Sequence, residues 1–289
     1  MQSLKPEFEY FAPQSVQCMV SRSFLREYSP ISTLQHGVPI QFSIPGSSPL
    51  YMDLSRSFLY LRAKITQANS ANLAGGDEVG PINLPVHSVF SHMELELGGR
   101  VISDSNGLYP YRAYMETLLN LTGGEQQTLQ LESALWQKDK SENFLNFATA
   151  NGSPNEGLVA RARYFRRSAE VELIGRPHLD IFHQTKLILP NVSLRLRMIP
   201  SQNNFLLVSP APAAQAVQND YRFEILEARF CVYTIEVTNN FSLCHEQLLL
   251  KGNARFPIKR VTMKHLSIPK GIRAHYMTIS FLVHFLLVF

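Results

Sequence analysis

Residues 92–103, HMELELGGRVIS, decide the fold class. Three apolar residues alternate with two glutamates, which is the pattern of a strand with one buried face. The glycine pair at 98–99 follows, and glycine readily adopts the left-handed backbone that a two-residue hairpin turn requires. The segment therefore predicts a β-hairpin with its leucines in a core. The inward residues are Leu95 and Leu97, and the outward residues are Glu94 and Glu96.

The same alternation predicts further strands along the chain. In residues 192–199 the predicted inward residues are Leu194 and Leu196, and the outward ones are Arg195 and Arg197. Residues 221–238 form a longer run, with Phe223 inward and a β-bulge near Glu227. Shorter apolar runs bounded by turn-forming residues predict strands at 38–44, 50–55, 58–65, 166–174, 186–189 and 256–266.

Helices are few in the predicted order of elements. Residues 108–120 carry apolar residues at helical spacing, with Pro110 suited to a first helical turn. Weaker patterns predict helices at 125–135 and 239–250, and a single helical turn ahead of the hairpin. Many short strands with few helices indicate an all-β protein, a jelly-roll barrel or sandwich with short inserted helices.

Composition excludes several classes of function. The chain has 289 residues and is 45% apolar, which is enough to form a core. Lys and Arg total 27 against 23 Asp and Glu, so the net charge of +4 indicates no broad basic face and no specific nucleic-acid partner. The glycine pairs fit turns and no nucleotide-binding fingerprint, so we expect no catalytic residue, no cofactor and no small-molecule substrate.

Cysteine usage and the N-terminus indicate a reducing compartment. Cys18, Cys231 and Cys244 are odd in number and widely spaced, so they predict neither a disulfide framework nor a zinc site. The opening MQSLKPEFEY lacks the apolar stretch of a secretion signal, so we expect an intracellular chain. We therefore expect the glycosylation sequons to be unused. They begin at Asn120, Asn151, Asn191 and Asn240.

Histidines are the residues to test for a metal-dependent jelly-roll enzyme. Such a site needs two histidines two apart on one strand, so that both rings point into the barrel. His87 and His92 are five apart, and so are His178 and His183, which flank Asp180. We therefore predict structural histidines and no bound metal.

Arg161, Arg163, Arg166 and Arg167 form a dense basic cluster. Guanidinium groups bind phosphate and carboxylate, so the cluster could contact nucleic acid or an acidic neighbouring subunit. The pattern favours a solvated edge between a loop and a strand. Only Tyr164 and Phe165 lie near the arginines, which is too few aromatic residues for a base-stacking platform.

Four blocks of sequence resemble the double jelly-roll, hexon-like capsid proteins of Polinton/Maverick elements and adintoviruses. The blocks are IPGSSPLYMDLSRSFLYLRAKI, HSVFSHMELELGGRVISDSNGLYPYRAYMETLLN, ELIGRPHLDIF and KGNARFPIKRVTMKHLSIPKG, and the resemblance covers residues 31–273. It implies two jelly rolls side by side in a subunit, three subunits in a capsomer, location in the virion, and no catalysis. Loops such as 69–81 and 137–157 would then decorate or lock the shell.

The sequence departs from that family after Ala274, where a second barrel would continue. We expect four parts: an N-terminal arm at 1–30, the first jelly roll at 31–238, a linker helix and first strand of a shortened second barrel at 239–274, and an apolar tail at 275–289. The apolar stretch 279–289 is shorter than the roughly 20 residues of a spanning helix, so we expect no integral membrane protein. A lone jelly-roll binding module and a metal-dependent jelly-roll enzyme remain as alternatives.

Overall fold

The structure is a computed structural model that describes residues 19–120, 129–140, 144–147, 153–210, 221–265 and 287–288. In these residues two four-stranded sheets pack face to face. The first sheet has the order β1-β10-β3-β7, and every neighbouring pair is antiparallel. Its strands are β1 (Val20–Tyr28), β3 (Leu50–Gln67), β7 (Val171–Gly175) and β10 (Tyr221–Val237).

The second sheet has the order β2-β8-β5-β6 and contains the predicted hairpin. Its strands are β2 (Ile40–Ile44), β5 (Phe90–Leu97), β6 (Arg100–Asp104) and β8 (Leu194–Pro200). Gly98 and Gly99 connect β5 to β6 with φ angles of 55° and 81°, as a primed hairpin turn requires. From β2 to β10 these strands alternate between the two sheets except at the hairpin, which is the connectivity of a jelly roll.

The core lies between the two sheets and contains the predicted inward residues. Each of them is at most 5% exposed: Leu95, Leu97, Leu194, Leu196 and Phe223. Aromatic rings cross the interface, with the ring centroids of Phe42 on β2 and Phe230 on β10 lying 5.9 Å apart. Such burial of inward faces, at about 25 cal/mol per Å² of apolar surface, is the main stabilisation of a sandwich.

The outward faces of β5 and β8 carry the predicted charges. Glu94 lies opposite Arg197 and Glu96 opposite Arg195 in the strand register. The carboxylate-to-guanidinium distances are 3.6 Å and 3.4 Å respectively. Because both arginines are exposed, these pairs align the strands but contribute little to stability.

Short helices and small strands connect the sheets. The helices are α1 (Pro85–Ser88), α2 (Tyr109–Asn120), α3 (Leu129–Glu132), α4 (Glu156–Tyr164), α5 (Asn203–Leu206) and α6 (Asn239–Lys251). Two pairs of two-residue strands complete the described structure, β4 (Gly80–Pro81) with β9 (Leu207–Val208) and β11 (Arg255–Phe256) with β12 (Leu287–Val288). The predicted helices at 108–120 and 239–250 and the helical turn before the hairpin are thus confirmed. Of the predicted helix at 125–135, residues 125–128 lie outside the described residues, and the described part is helical only in α3.

The two predicted strands at 50–55 and 58–65 are one strand, β3. Polar residues suggested a break, but they form a bulge within the strand. Asp53 Oδ1 accepts hydrogen bonds from the backbone N–H of Ser55 and from its hydroxyl. Ser57 Oγ donates to the carbonyl of Asp53 at 2.6 Å and accepts the N–H of Tyr233 at 3.1 Å, so β10 stays paired across the bulge. The bulge predicted near Glu227 is confirmed by the register shift after Ile225.

Three other predicted strands are wrong in part. Residues 166–174 begin with a 3-10 turn, Arg166–Ser168, and become a strand only at β7. Residues 186–189 make only an isolated bridge, between Ile188 and Met52. Of residues 256–266, the described part is a strand only at Phe256, because beyond it no neighbouring strand is described that could pair with the backbone.

The described part of the predicted N-terminal arm is an edge strand. β1 pairs with β10 from Val20 to Tyr28, although most of its side chains are exposed. Residues 1–18, with Cys18, lie outside the described residues, as do 266–286 and Phe289 of the linker and apolar tail. Leu287–Val288 of the tail is described, and its backbone pairs with β11.

We predict that Leu196→Ala lowers the free energy of unfolding by about 2–5 kcal/mol, because the fully buried side chain would leave a cavity between the sheets. Arg195→Ala, one residue away on the exposed face, should cost less than about 1 kcal/mol. Urea unfolding followed by the fluorescence of the single tryptophan, Trp136, measures both. Equal costs would contradict the assignment of faces on β8.

Candidate functional site

The structure separates the histidines that the sequence groups together. His92 lies on β5, where its Nδ1 accepts a hydrogen bond from the N–H of Gly107 at 3.1 Å. His87 is buried in α1, 3.0 Å from the hydroxyl of Tyr109. Gly175 at the end of β7 permits this packing, since a Cβ there would lie 2.9 Å from the His87 ring.

A second group of side chains converges where α2 meets the segment after β7. Glu116 on α2 lies beside His178 and His183, with 2.7 Å between Glu116 Oε2 and His178 Nδ1. His183 Nε2 is 3.5 Å from the same oxygen. One ligand atom from each of the three residues lies within 4.8 Å of the other two. We call Glu116, His178 and His183 the histidine cluster.

Arg112 holds the histidine cluster in place from one side. Its Nε donates to Glu116 Oε1 at 2.8 Å, one helical turn along α2. Its other arm donates to Asp180 Oδ1 at 2.6 Å, in the 3-10 turn Asp180–His183. Asp180 therefore points to Arg112 and away from the histidines that flank it in sequence.

Burial and neighbouring groups shift the pKa values of His87, His178 and Glu116. Desolvation lowers the pKa of His178, and it lowers that of the fully buried His87 further, with the nearby His178 adding to the effect. For Glu116 burial opposes ionisation, but hydrogen bonds from His178 and His183 and the charge of Arg112 outweigh it and lower the pKa. The carboxylate of Glu116 is thus negative and accepts hydrogen bonds at both oxygens.

An open groove of about 560 Å³ borders the histidine cluster. Glu116 and His183 line it together with residues from α2 and from the segment after α6. The side chain of His183 is 32% exposed, while those of Glu116 and His178 are 13% and 16% exposed. The cluster is therefore reachable from solvent on its His183 side.

The four arginines of the basic cluster differ in their exposure to solvent. Arg163, Arg166 and Arg167 are exposed, as the sequence predicts, but Arg161 is only 2% exposed, so the solvated-edge prediction is wrong for it. Its guanidinium donates to the carbonyls of Pro81 and Gln137 and to Asp139 Oδ1 at 2.8 Å. Arg161 thus ties α4 to β4 and to the predicted loop at 137–157.

Glu116 and the buried role of Arg161 were missed by sequence analysis. The spacing of Arg112 and Glu116, four apart on a predicted helix, was a signal for a charged pair on one face. No local pattern, however, links Glu116 to histidines more than sixty residues later.

Helix α6 exposes two leucines on one side, with Glu246 and Gln247 between them. Its one fully buried residue is Ser242, whereas Leu243 and Leu250 are 57% and 88% exposed. These leucines are seven residues apart, so they lie on the same side of the helix. Among the described residues no helix is long and apolar enough to cross a membrane.

The two described cysteines differ in environment. Cys244 on α6 is exposed, and Cys231 on β10 is buried, where desolvation raises its thiol pKa to about 11. The two are unpaired, as the sequence predicts for a chain without a disulfide framework.

The connectivity of the two sheets defines a jelly roll, and comparison with solved structures supports this fold. A chain from the cryo-EM structure of the Sputnik virophage superposes with a TM-score of 0.52 at 10% identity, covering 83% of this chain and 53% of that one. The PBCV-1 virus capsid matches with a TM-score of 0.49 at 12% identity over 86% of this chain and 49% of that one. The mavirus major capsid protein gives 0.36 and 15% identity, over 81% and 51%.

The resemblance to double jelly-roll capsid proteins is thus confirmed at the level of the fold. The chain spans about half the length of the solved chains that it matches. No protein-family model and no curated protein matches the sequence.

We predict that Arg161→Met destabilises the protein by about 3–5 kcal/mol, because Asp139 and the carbonyls of Pro81 and Gln137 would lose their cationic partner. Arg163→Met, two residues along the same helix but exposed, should change stability by less than about 1 kcal/mol. Thermal or urea unfolding of both variants tests this, and similar stabilities would show that the buried ion pair is unimportant.

We predict that iodoacetamide at pH 8 modifies Cys244 in the folded protein and leaves Cys231 unmodified. With a pKa of about 11, only about one Cys231 in a thousand would be thiolate at that pH, and the side chain is also buried. Peptide mass spectrometry after timed labelling measures each site. In denaturant the two sites should react alike, and rapid labelling of Cys231 in the folded protein would contradict its placement.

Proposed function

We propose that this chain is a structural, capsid-like subunit that works by self-association. The observation that carries the proposal is the pair of four-stranded sheets with jelly-roll connectivity, together with the likeness of fold to a Sputnik virophage chain. Rigid sandwiches of this kind present side surfaces to their neighbours, so shape and surface chemistry perform the function. Within the proposal the chain is not an enzyme, and it has no small-molecule substrate, cofactor or nucleic-acid partner.

The finer parts of the proposal rest on the sequence resemblance. They are descent from a Polinton or adintovirus capsid gene, a trimeric capsomer, location in the virion or the cell interior, and the division of the chain at residues 30, 238 and 274. Support for the jelly-roll fold on which the capsid class rests comes from the Sputnik virophage chain. The alternative is a cellular jelly-roll binding module without catalysis.

Self-association has a candidate surface in α6. In the family that the sequence resembles, two jelly rolls stand side by side in one chain, whereas the described residues here contain one. Self-association would place the jelly roll of a second copy beside this one. Leu243 and Leu250 on one side of α6 are the candidate contact residues, and each would contribute at most about 1.5–3 kcal/mol on becoming fully buried.

We predict that the full chain forms oligomers above its monomer mass of 32.8 kDa. The double variant Leu243→Asp and Leu250→Asp should shift the population to monomer, because the carboxylates would have to be desolvated in the contact. Light scattering coupled to size-exclusion chromatography over a range of protein concentrations measures the mass. Negative-stain electron microscopy of the largest species then shows whether closed rings or trimers form.

The matched control is Ile31→Asp, which places the same charge on a side chain that is 64% exposed and lies away from α6. It should leave the oligomer intact. A chain that is monomeric at every concentration would contradict self-association and favour the binding module. If the double variant still forms the oligomer and Ile31→Asp does not, the contact does not involve α6.

A further inference from the structure

We propose that the histidine cluster is a binding site for Zn²⁺, with Glu116, His178 and His183 as its protein ligands. The proposal is independent of the capsid role. It reverses the expectation of no bound metal, which considered only histidines on one strand. Folding adds a carboxylate from a different element, and this completes a set of three ligands.

The donor set fits zinc. Two imidazole nitrogens and one carboxylate oxygen form a frequent three-ligand zinc site, with a fourth position left to water. Mg²⁺ and Ca²⁺ prefer oxygen ligands only, so they should bind poorly here.

The distances are close to those that zinc requires. Zn–N and Zn–O bonds of about 2.0–2.1 Å in a tetrahedron place neighbouring ligand atoms about 3.3 Å apart. His183 Nε2 lies 3.5 Å from Glu116 Oε2, and His178 Nδ1 lies 2.7 Å from it. The two histidine nitrogens lie within 4.8 Å of each other. Side-chain rotations that open the shortest distance by about half an ångström and bring the nitrogens to about 3.3 Å would admit the ion.

Neighbouring residues hold the three ligands in position, as the residues that contact metal ligands do in other metal sites. Glu116 Oε1 is held by Arg112, so Oε2 remains to face the two histidines. Arg112 is itself held by Asp180, whose 3-10 turn carries His183. The backbone N–H of His178 donates to the hydroxyl of Tyr109 at 3.2 Å, and its ring packs edge-on against His87 with centroids 4.7 Å apart.

Access and charge also permit binding. The groove reaches Glu116 and His183, so the ion and its water can enter from solvent. The positive charge of Arg112 is balanced by its ion pair with Asp180, so the charge of Glu116 remains available to the metal. Lys259 also lines the groove, and its charge opposes the approach of cations.

The experiment uses the purified full chain, stripped of metal with a chelator and titrated with ZnCl₂ by isothermal calorimetry. We expect saturable binding of about one Zn²⁺ per chain, and no saturable binding of Mg²⁺. Cobalt substitution gives an independent readout, because tetrahedral Co²⁺ with nitrogen and oxygen ligands has visible absorption that octahedral aqueous Co²⁺ largely lacks.

Two variants remove ligands at little structural cost. His183→Ala changes a partly exposed side chain, and Glu116→Gln keeps an amide oxygen for Arg112. Each should weaken Zn²⁺ binding at least tenfold and abolish the cobalt spectrum, with an unchanged circular dichroism spectrum. His36→Ala, which removes an exposed histidine elsewhere, is the matched control and should bind like the unaltered chain.

Two results would overturn the proposal. One is an unaltered chain that shows no saturable Zn²⁺ binding. The other is a His183→Ala variant that binds as tightly as the unaltered chain, because the zinc would then sit on other surface residues. Neither result would bear on self-association, which the α6 variants test separately.

Discussion

The pairing of β10 with β3 is the contact on which the rest of the structure depends. These are long strands, of 17 and 18 residues, and they hydrogen-bond along most of their length. β1 adds to the other side of β10, and β7 adds to the other side of β3. The first sheet therefore forms only when residues far apart in sequence have come together. The buried face of the second sheet then packs against the buried face of the first.

The sequence predicted the local elements of this arrangement because their signals are local. Alternation identified the faces of β5 and β8, glycines identified the hairpin turn, and the bulge at Glu227 was visible as a change of phase in the alternation. The same reasoning failed at Asp53–Ser57, where polar residues form hydrogen bonds within a strand. A bulge held by a partner strand cannot be distinguished from a turn without knowing that partner.

The candidate site was less predictable than the fold, since its residues meet only through tertiary packing. Arg161 lies in a stretch of arginines that resembles a solvated surface, yet the turn of α4 directs it under β4. Burial of its charge is tolerated because three acceptors surround the guanidinium. In the same way, His178 and His183 become partners of Glu116 because α2 packs beside the segment after β7.

Ion pairs occur in two kinds of environment in this molecule. The sheets carry paired surface charges outside and apolar side chains inside, while the inserted helices α2 and α4 carry the buried ion pairs of Arg112 and Arg161. The segment after α6 returns to α2, where the carbonyl of Val261 accepts from Arg112 and its N–H donates to Asp180. The chain beyond the jelly roll therefore passes directly beside the histidine cluster. Arg112 and Asp180 thus contact both the histidine cluster or its turn and the returning segment, so the cluster and the end of the described chain share the same two side chains as neighbours.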